Sequence, residues 1–294
     1  MVATPHSGDC SLSLDLSADE ISVTGGRRRF APAFDLKGET SMRDLYIRRM
    51  SLAEPLPRDS YLNSLPVVKH LAEKGIDFHR QVTFFVGENG SGKSTLIEAL
   101  AISQHFNPEG GTKNFSFSTE DSHSELCSYL GVVRGAVYPR DGFFLRAESF
   151  YNVATSIDRM DREGGCGAPV INSYGGVSLH RQSHGESFLA LVEKRFGGHG
   201  LYILDEPEAA LSPSGIIRLI RNIDRLVKAD SQLIISTHSP MLLAFPGAEI
   251  YQITAGGITA VPYTQTDHYR TTVRFLQNPE SAMEDILGIP AAEE

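Results

Sequence analysis

The chain has 294 residues, 41% of them hydrophobic, with a formal net charge of −9 from 36 acidic and 27 basic side chains. That size and apolar content suit an ordinary globular core, and the acidic balance excludes a protein that coats nucleic acid over its whole surface, leaving room only for a local basic groove. No segment reaches the roughly 18 unbroken apolar residues of a membrane span, and Met1 to Gly8 has neither the basic start nor the apolar stretch of a secretory leader, so direct membrane insertion is not expected.

Residues 1–40 are rich in Ser, Asp and Gly, and Gly25-Gly26-Arg27-Arg28-Arg29 breaks any periodicity, which predicts a loosely ordered extension ahead of one domain over 41–294. The basic triplet reads as a solvated charge cluster. Residues 44–52 suit a strand, and 65–72 a short helix with Pro66 in its first turn. Val82 to Val86 predicts a buried strand. It feeds Gly87-Glu88-Asn89-Gly90-Ser91-Gly92-Lys93-Ser94-Thr95, after which Leu96 to Leu100 continues a helical run. A Gly/Asn/Ser-rich patch follows over 107–119, then a helix over 120–130 and two strands within 132–146 around the turn Pro139-Arg140-Asp141-Gly142. Residues 161–176 are Gly-rich and predict a loop, and 187–196 an apolar-periodic helix. Leu201 to Leu204 is an unbroken apolar strand of the kind found inside parallel sheets.

Ser212 and Pro213 open an amphipathic helix on which Ile216, Ile217, Leu219, Ile220, Ile223 and Leu226 recur at helical spacing. A strand over 231–236 follows, then a hairpin of 250–253 and 258–261 around Ala255-Gly256-Gly257, then a helical stretch over 268–287 broken near Pro279. Strands alternating with helices around a glycine loop predict an α/β fold with a largely parallel sheet. The three cysteines, Cys10, Cys127 and Cys166, match no zinc spacing and read as reduced thiols in a cytoplasmic protein.

The pattern G-x-x-x-x-G-K-[ST] between a strand and a helix is a phosphate cradle. Glycines turn backbone N–H groups inward, Lys93 reaches the β- and γ-phosphates, Ser94 places a hydroxyl on magnesium, and the helix N-terminus favours negative charge. Asp205, closing an apolar strand, is a second magnesium ligand facing Ser94. Glu206 beside it can orient and deprotonate an attacking water. By itself Asp205-Glu206-Pro207 is equally a strand-to-turn exit; the upstream glycine loop decides for the functional reading. His238 follows a strand's C-terminal end, where ligands bind in open α/β sheets, and can hydrogen-bond a γ-phosphate. Ser183-His184-Gly185-Glu186 opens a helix and offers a second phosphate-binding end. Phe143 to Ser149 places polar residues just after a strand.

Together these segments resemble the ATP-binding-cassette (ABC) ATPases over about residues 80 to 240, in the order Walker A, Q-loop, signature, Walker B, D-loop and switch histidine. The resemblance implies a P-loop NTPase fold with a mainly parallel central sheet flanked by helices and an antiparallel β portion. It implies ATP and Mg2+ as ligands, bound by residues 87–95, with Glu206 as base and His238 as switch. It also implies an ATP-dependent homodimer, in which Ser183, Gly185 and Glu186 face the partner's γ-phosphate. Glu148 stands where the family carries the Q-loop glutamine, which implies a metal contact there. The signature Gln182-Ser183-His184-Gly185-Glu186 is more similar to structural-maintenance-of-chromosomes and RecF-type ATPases than to transporters. The stretch from Glu148 to Ser183 is too short for a transporter's helical subdomain. Glu208 to Pro213 and the tail His268 to Glu280 resemble small stand-alone bacterial predicted ATPases of the overcoming-lysogenization-defect and AAA types. The implied activity is ATP hydrolysis driving a dimerisation switch on an unidentified protein partner. The alternatives are a DNA-associated ATPase of repair or phage defence, and a transporter's ATPase subunit.

Other residues carry weaker signals. Tyr46 or Tyr61 could stack on adenine, although a core or surface position suits either better. Arg146 is equally a phosphate contact or a carboxylate partner, and Glu208 equally functional or structural. His70, His79 and His268 read as ordinary surface or cap histidines, His184 as loop filler, and Cys166 as an inert thiol.

Overall fold

The computed structural model describes residues 45–113, 124–163, 171–172, 180 and 183–288. The extension expected over 1–40, and with it Cys10, lies outside the described residues, as does Cys166. In chain order the elements are β1 (Ile47–Leu52), α1 (Pro66–Glu73), β2 (Ile76–Asp77), β3 (Val82–Gly87), α2 (Lys93–Ser103), α3 (Leu126–Tyr129), β4 (Leu130–Arg134), β5 (Asp141–Arg146) and α4 (Phe150–Glu163). They continue with α5 (His184–Arg195), β6 (Gly200–Asp205), α6 (Pro213–Lys228), β7 (Gln232–Ser236), α7 (Pro240–Leu243), β8 (Glu249–Thr254), β9 (Gly257–Ala260), α8 (Asp267–Gln277) and α9 (Pro279–Leu287). No helix among the described residues is long and apolar enough to cross a membrane.

A six-stranded sheet has the order β5-β6-β7-β3-β8-β9. Every pair from β5 to β8 is parallel, and β9 closes the edge as an antiparallel hairpin with β8. A second, antiparallel sheet has the order β2-β1-β4. β3, β6 and β7 are buried along their whole length, which is why they read as continuous apolar runs. Their side chains still alternate. Phe84, Tyr202, Leu204 and Ile235 join the core shared with α4, α5 and α6, whereas Phe85, Leu201, Ile203 and Ile234 join the core shared with α2 and the antiparallel sheet. The amphipathic helix over 213–228 forms as expected, with Ser212 accepting a hydrogen bond from Gly215 N as its N-cap.

The register levels the C-terminal ends of four strands. Arg146 of β5 pairs with Asp205 of β6, Asp205 with Ser236 of β7, and Ser236 with Phe85 of β3, two residues ahead of Gly87. Every functional segment after those strands therefore leaves the sheet at one edge.

The two strands expected around Pro139–Gly142 form, as β4 and β5, and they enter different sheets: β4 joins β1 and β5 joins β6. The interior of β5 is buried on both faces and suits the parallel sheet, whereas β4 becomes exposed toward its end. Two expectations are corrected. The helix expected over 120–130 is confined to the short α3, because Leu130 already begins β4; residues 120–123 lie outside the described residues. The loop expected over 161–176 is helical at its first residues, since α4, which the sequence pattern had not suggested, runs to Glu163; residues 164–170 and 173–176 lie outside the described residues. Its core contacts are Phe150, Val153, Ala154 and Ile157, a helical stripe diluted by polar neighbours.

One buried side chain ties the two sheets together. The amide of Gln232 accepts from Ile47 N (2.8 Å) and donates to Ile47 O (2.9 Å), standing in for a missing strand partner. Gln232→Ala strands both backbone groups without water, at about 1–3 kcal/mol each. We expect a urea midpoint lowered by the equivalent of about 3 kcal/mol in total. An unchanged midpoint would show that water enters and replaces the amide.

Candidate functional site

The glycine loop lies between the last residue of β3 and the first turn of α2. A Cβ at Gly87 would stand 2.6 Å from the carbonyl oxygen of Ile253, so only glycine permits the close approach of β8. Gly92, the residue capping α2, has φ +95°, and no side chain caps that helix end; its first N–H groups face the loop. Lys93 is buried, and its Nζ donates to the carbonyls of Gly87 (2.9 Å) and Glu88 (3.0 Å), across the loop. Burial lowers its pKa, while the carboxylates of Glu206, Asp205 and Glu208 oppose that shift. An open cleft of about 490 Å³ runs beside the loop, lined by Gly87 to Ser91 and, opposite them, by Gln252, Thr254, Asp267 and His268.

Asp205 is the buried anion of the site. Ser94 Oγ donates to its Oδ1 at 3.3 Å and Ser236 Oγ donates to the same oxygen, while Arg146 Nε lies 3.5 Å from Oδ2. Burial raises the pKa of this carboxyl; the Ser236 hydrogen bond and the Arg146 charge hold it down. Arg146 also pairs with Glu98 of α2 at 2.6 Å and with Glu148 at 3.5 Å. The carboxylate-partner reading of Arg146 therefore holds. Glu148, 83% exposed, stands near the site through this guanidinium.

Glu206 follows in the left-handed region, with φ +49° and ψ +52°. Such a conformation costs a non-glycine residue about 1–3 kcal/mol and persists only where its surroundings hold it. Here its backbone N–H is held by Ser236 O and Oγ, both at 3.1 Å. The turn places Glu206 Oε1 3.4 Å from His238 Nε2. Glu208 accepts a hydrogen bond from His238 N, and its own carboxyl is pushed up by burial. His238 Nδ1 lies 3.1 Å from His268 Nε2.

The structure thus brings together residues 87–95, Asp205, Glu206 and His238. It places the signature elsewhere. Ser183 caps α5, accepting from Glu186 N, and Glu186 pairs with Arg218 at 3.4 Å. A Cβ at Gly185 would stand 2.7 Å from Ala210 O. These residues line a separate pocket of about 210 Å³ with Leu211, Ser212 and Gly215.

Several weak candidates resolve. Tyr46 is buried, with its hydroxyl donating to Asp230 O, so it is a core residue and cannot stack on adenine; Tyr61 is 67% exposed. His184 stands edge-on to Phe150 and packs there. His79 pairs with Glu249 at 2.9 Å on the surface, and His70 accepts from Ile258 N. His268, expected to be an ordinary histidine, is instead in the site. Glu98 and Ser236 are the other members that sequence reasoning missed. Ser236 was legible as the last residue of the strand before His238, whereas Glu98 sits in a helical pattern without any signal.

Among the described residues four buried polar atoms at the site have no hydrogen-bond partner: Ser91 Oγ, Arg146 Nε, Glu208 Oε2 and His238 Nε2. Unsatisfied groups around a glycine loop and a buried lysine fit a triphosphate. The Ser94 hydroxyl and the Asp205 carboxylate are hard oxygen donors and fit Mg2+. Among the described residues no cluster of three His, Cys, Asp or Glu side chains forms a metal cage.

Two segments match family models: residues 67–131 match an AAA domain, and residues 178–244 an AAA domain described as AbiEii toxin-like, of type IV TA systems. Between them they contain every predicted site residue except Glu148. Over 182 residues the chain is 27% identical to an uncharacterized ABC transporter ATP-binding protein of Haemophilus influenzae, covering 58% of this chain and 68% of that protein. Over 165 residues it is 28% identical to a cytochrome c biogenesis ATP-binding export protein of Aliivibrio fischeri, covering 53% of this chain and 78% of that one. Among solved structures, an ATP-binding cassette of an ABC transporter shares 14% identity over 79% of this chain and 98% of its own, with a TM-score of 0.46.

Arg146 is the cation nearest both Asp205 and Glu98. Arg146→Met should destabilise the protein by about 3 kcal/mol at neutral pH, because two carboxylates then lack their partner. Asp205 already has a raised folded pKa, and losing Arg146 raises it further. The deficit should therefore be full above that raised value and shrink as pH falls through it. Denaturant curves at several pH values check this; a deficit that grows on acidification contradicts it.

Proposed function

The chain is a P-loop ATPase of the AAA/ABC type, and from that premise we propose that it works as a nucleotide-driven dimerisation switch acting on a protein partner. The observation that carries the reading is the meeting of Ser94 with Asp205 (3.3 Å) and of Glu206 with His238 (3.4 Å) at one sheet edge beside the glycine loop.

In this reading Gly87, Glu88, Asn89, Gly90, Ser91, Gly92 and Thr95 hold the triphosphate through the loop and the first turn of α2. Lys93 exchanges its two carbonyl partners for phosphate oxygens. Ser94 and Asp205 hold Mg2+, which supplies charge neutralisation when bound, and Glu148 contributes from the loop after β5. Glu206 takes the proton of the water whose oxygen bonds to the γ-phosphorus as the bond to the bridging oxygen breaks. His238 Nε2 donates toward the γ-phosphate. Most of the rate comes from positioning and charge, as in phosphoryl transfer generally.

The homodimer is supported by the position of the signature. Ser183, Gly185 and Glu186 lie in a pocket apart from the cleft that borders this chain's own loop, which suits contact with a nucleotide held by a second copy. A DNA-associated role in repair or phage defence draws support from the S-x-G-E signature and the family model over 178–244, while the net charge of −9 weighs against it. Salt-titrated DNA binding with ATP separates the two readings. The transporter reading draws on the relatives' names and is opposed by the short stretch from Glu148 to Ser183.

Glu206→Gln should lower kcat by roughly 10²- to 10⁴-fold, as for loss of a general base. Calorimetry should still show ATP binding, and size exclusion with ATP should show a trapped dimer. Turnover at the wild-type rate would remove Glu206 as the base, and an ATP-loaded monomer would remove the switch.

A further inference from the structure

We propose that His268 is a positioning residue that fixes the tautomer and orientation of His238, so that His238 Nε2 carries its proton toward the site. This rests on the ATPase reading above and deepens it.

The placement of His268 is built into the fold. Gln252 of β8 pairs in register with Val86 of β3, one residue ahead of the glycine loop. The same Gln252 clamps the first residue of α8: its amide donates to the Asp267 carboxylate at 2.7 Å and accepts from Asp267 N at 3.2 Å. The buried Thr266 caps the helix, accepting from Tyr269 N. His268 is thereby held at the wall of the cleft opposite Gly87 to Ser91. His238 is held from its other side, where its backbone N–H meets the Glu208 carboxylate. The two imidazoles lie with ring centroids 5.2 Å apart and Nδ1 of His238 3.1 Å from Nε2 of His268.

A hydrogen bond between two ring nitrogens needs one N–H and one lone pair, and a neutral imidazole has one of each. If His238 donated through Nδ1, its Nε2 would present a lone pair to the Glu206 carboxylate 3.4 Å away, and to any phosphate oxygen entering the cleft. If His268 donates through Nε2, His238 accepts at Nδ1 and its Nε2 carries a proton toward those anions. That Nε2 is buried and has no hydrogen-bond partner among the described residues, as suits an N–H held for a ligand. The second arrangement turns an N–H toward the carboxylate, and the first sets a lone pair against a negative charge. Burial, then the neighbouring His238 and Lys93, lower the pKa of His268, which favours its neutral form.

The test has two readouts. In nucleotide-free wild-type protein labelled with ¹⁵N-histidine, His238 should show a protonated Nε2 and an unprotonated, hydrogen-bonded Nδ1; a protonated Nδ1 facing His268 would overturn the proposal. This measurement needs no hydrolysis, so it survives or falls separately from the ATPase reading. In steady-state kinetics His268→Ala should lower kcat about tenfold with little change in KM, a loss on the scale of one misplaced proton donor. His268→Gln, whose amide N–H can replace the donor, should recover to within about threefold of wild type on the same scale. In a His238→Ala background, removing His268 should cost less than about twofold more, because the residue acts through His238. A wild-type rate in His268→Ala, a Gln variant as slow as Ala, or fully additive losses in the double variant would each refute the assignment.

Discussion

The arrangement depends on one buried carboxylate. Asp205 ends a strand whose every residue is hidden from water; burial raises its pKa, and two hydroxyls and a guanidinium meet it there and hold that rise down. Burial penalises the charged form, and hydrogen bonds and a nearby cation oppose the penalty. Each of the three partners comes from a different element: Ser94 from α2, Ser236 from β7, Arg146 from β5. The sheet must therefore assemble in the order β5-β6-β7-β3, with level strand ends, before this anion can be accommodated. A divalent cation bound at Ser94 and Asp205 would relieve the same penalty, so folding and ligand binding address a common electrostatic problem.

Parallel pairing is what gathers the chemistry. In a parallel sheet all strands point one way, so the loops after β3, β5, β6 and β7 leave from the same edge. That geometry explains why segments as distant as 87–94, 146–148, 205–208 and 236–238 share a neighbourhood. The left-handed turn at Glu206 does the fine placement. It swings the carboxylate off the strand axis toward His238, and the two hydrogen bonds from its N–H to Ser236 hold the strained backbone. The antiparallel sheet is a separate layer over α2, and the Gln232 amide links it to the buried strand β7.

The signature occupies its own place for a packing reason. Gly185 is needed so that the start of α5 can approach the carbonyl of Ala210, in the turn that follows Glu206. Ala210 and Leu211, which follow Glu206, also line the second pocket, and that pocket shares no lining residue with the cleft beside the chain's own loop.

Residues close together in sequence were legible without coordinates. The glycine loop, the strand-ending Asp205-Glu206 and the histidine after β7 each carry their meaning within a few residues, because strand, turn and helix signals are local. The parallel sheet also followed, from apolar runs too continuous for a one-sided strand. Long-range pairing was not legible. Nothing local distinguishes β4, bound for the antiparallel sheet, from β5, bound for the parallel one. Arg146 divided evenly between two readings until its carboxylates, on α2, β6 and the loop after β5, came within 3.5 Å of it. His268 looked ordinary because its partner is thirty residues away, and only the clamp between Gln252 and Asp267 brings the two rings together. The sequence determined which chemical groups exist and on which kind of element each sits. The tertiary structure decided which of them share one dielectric environment, because charge and proton placement depend on distances that no local pattern encodes.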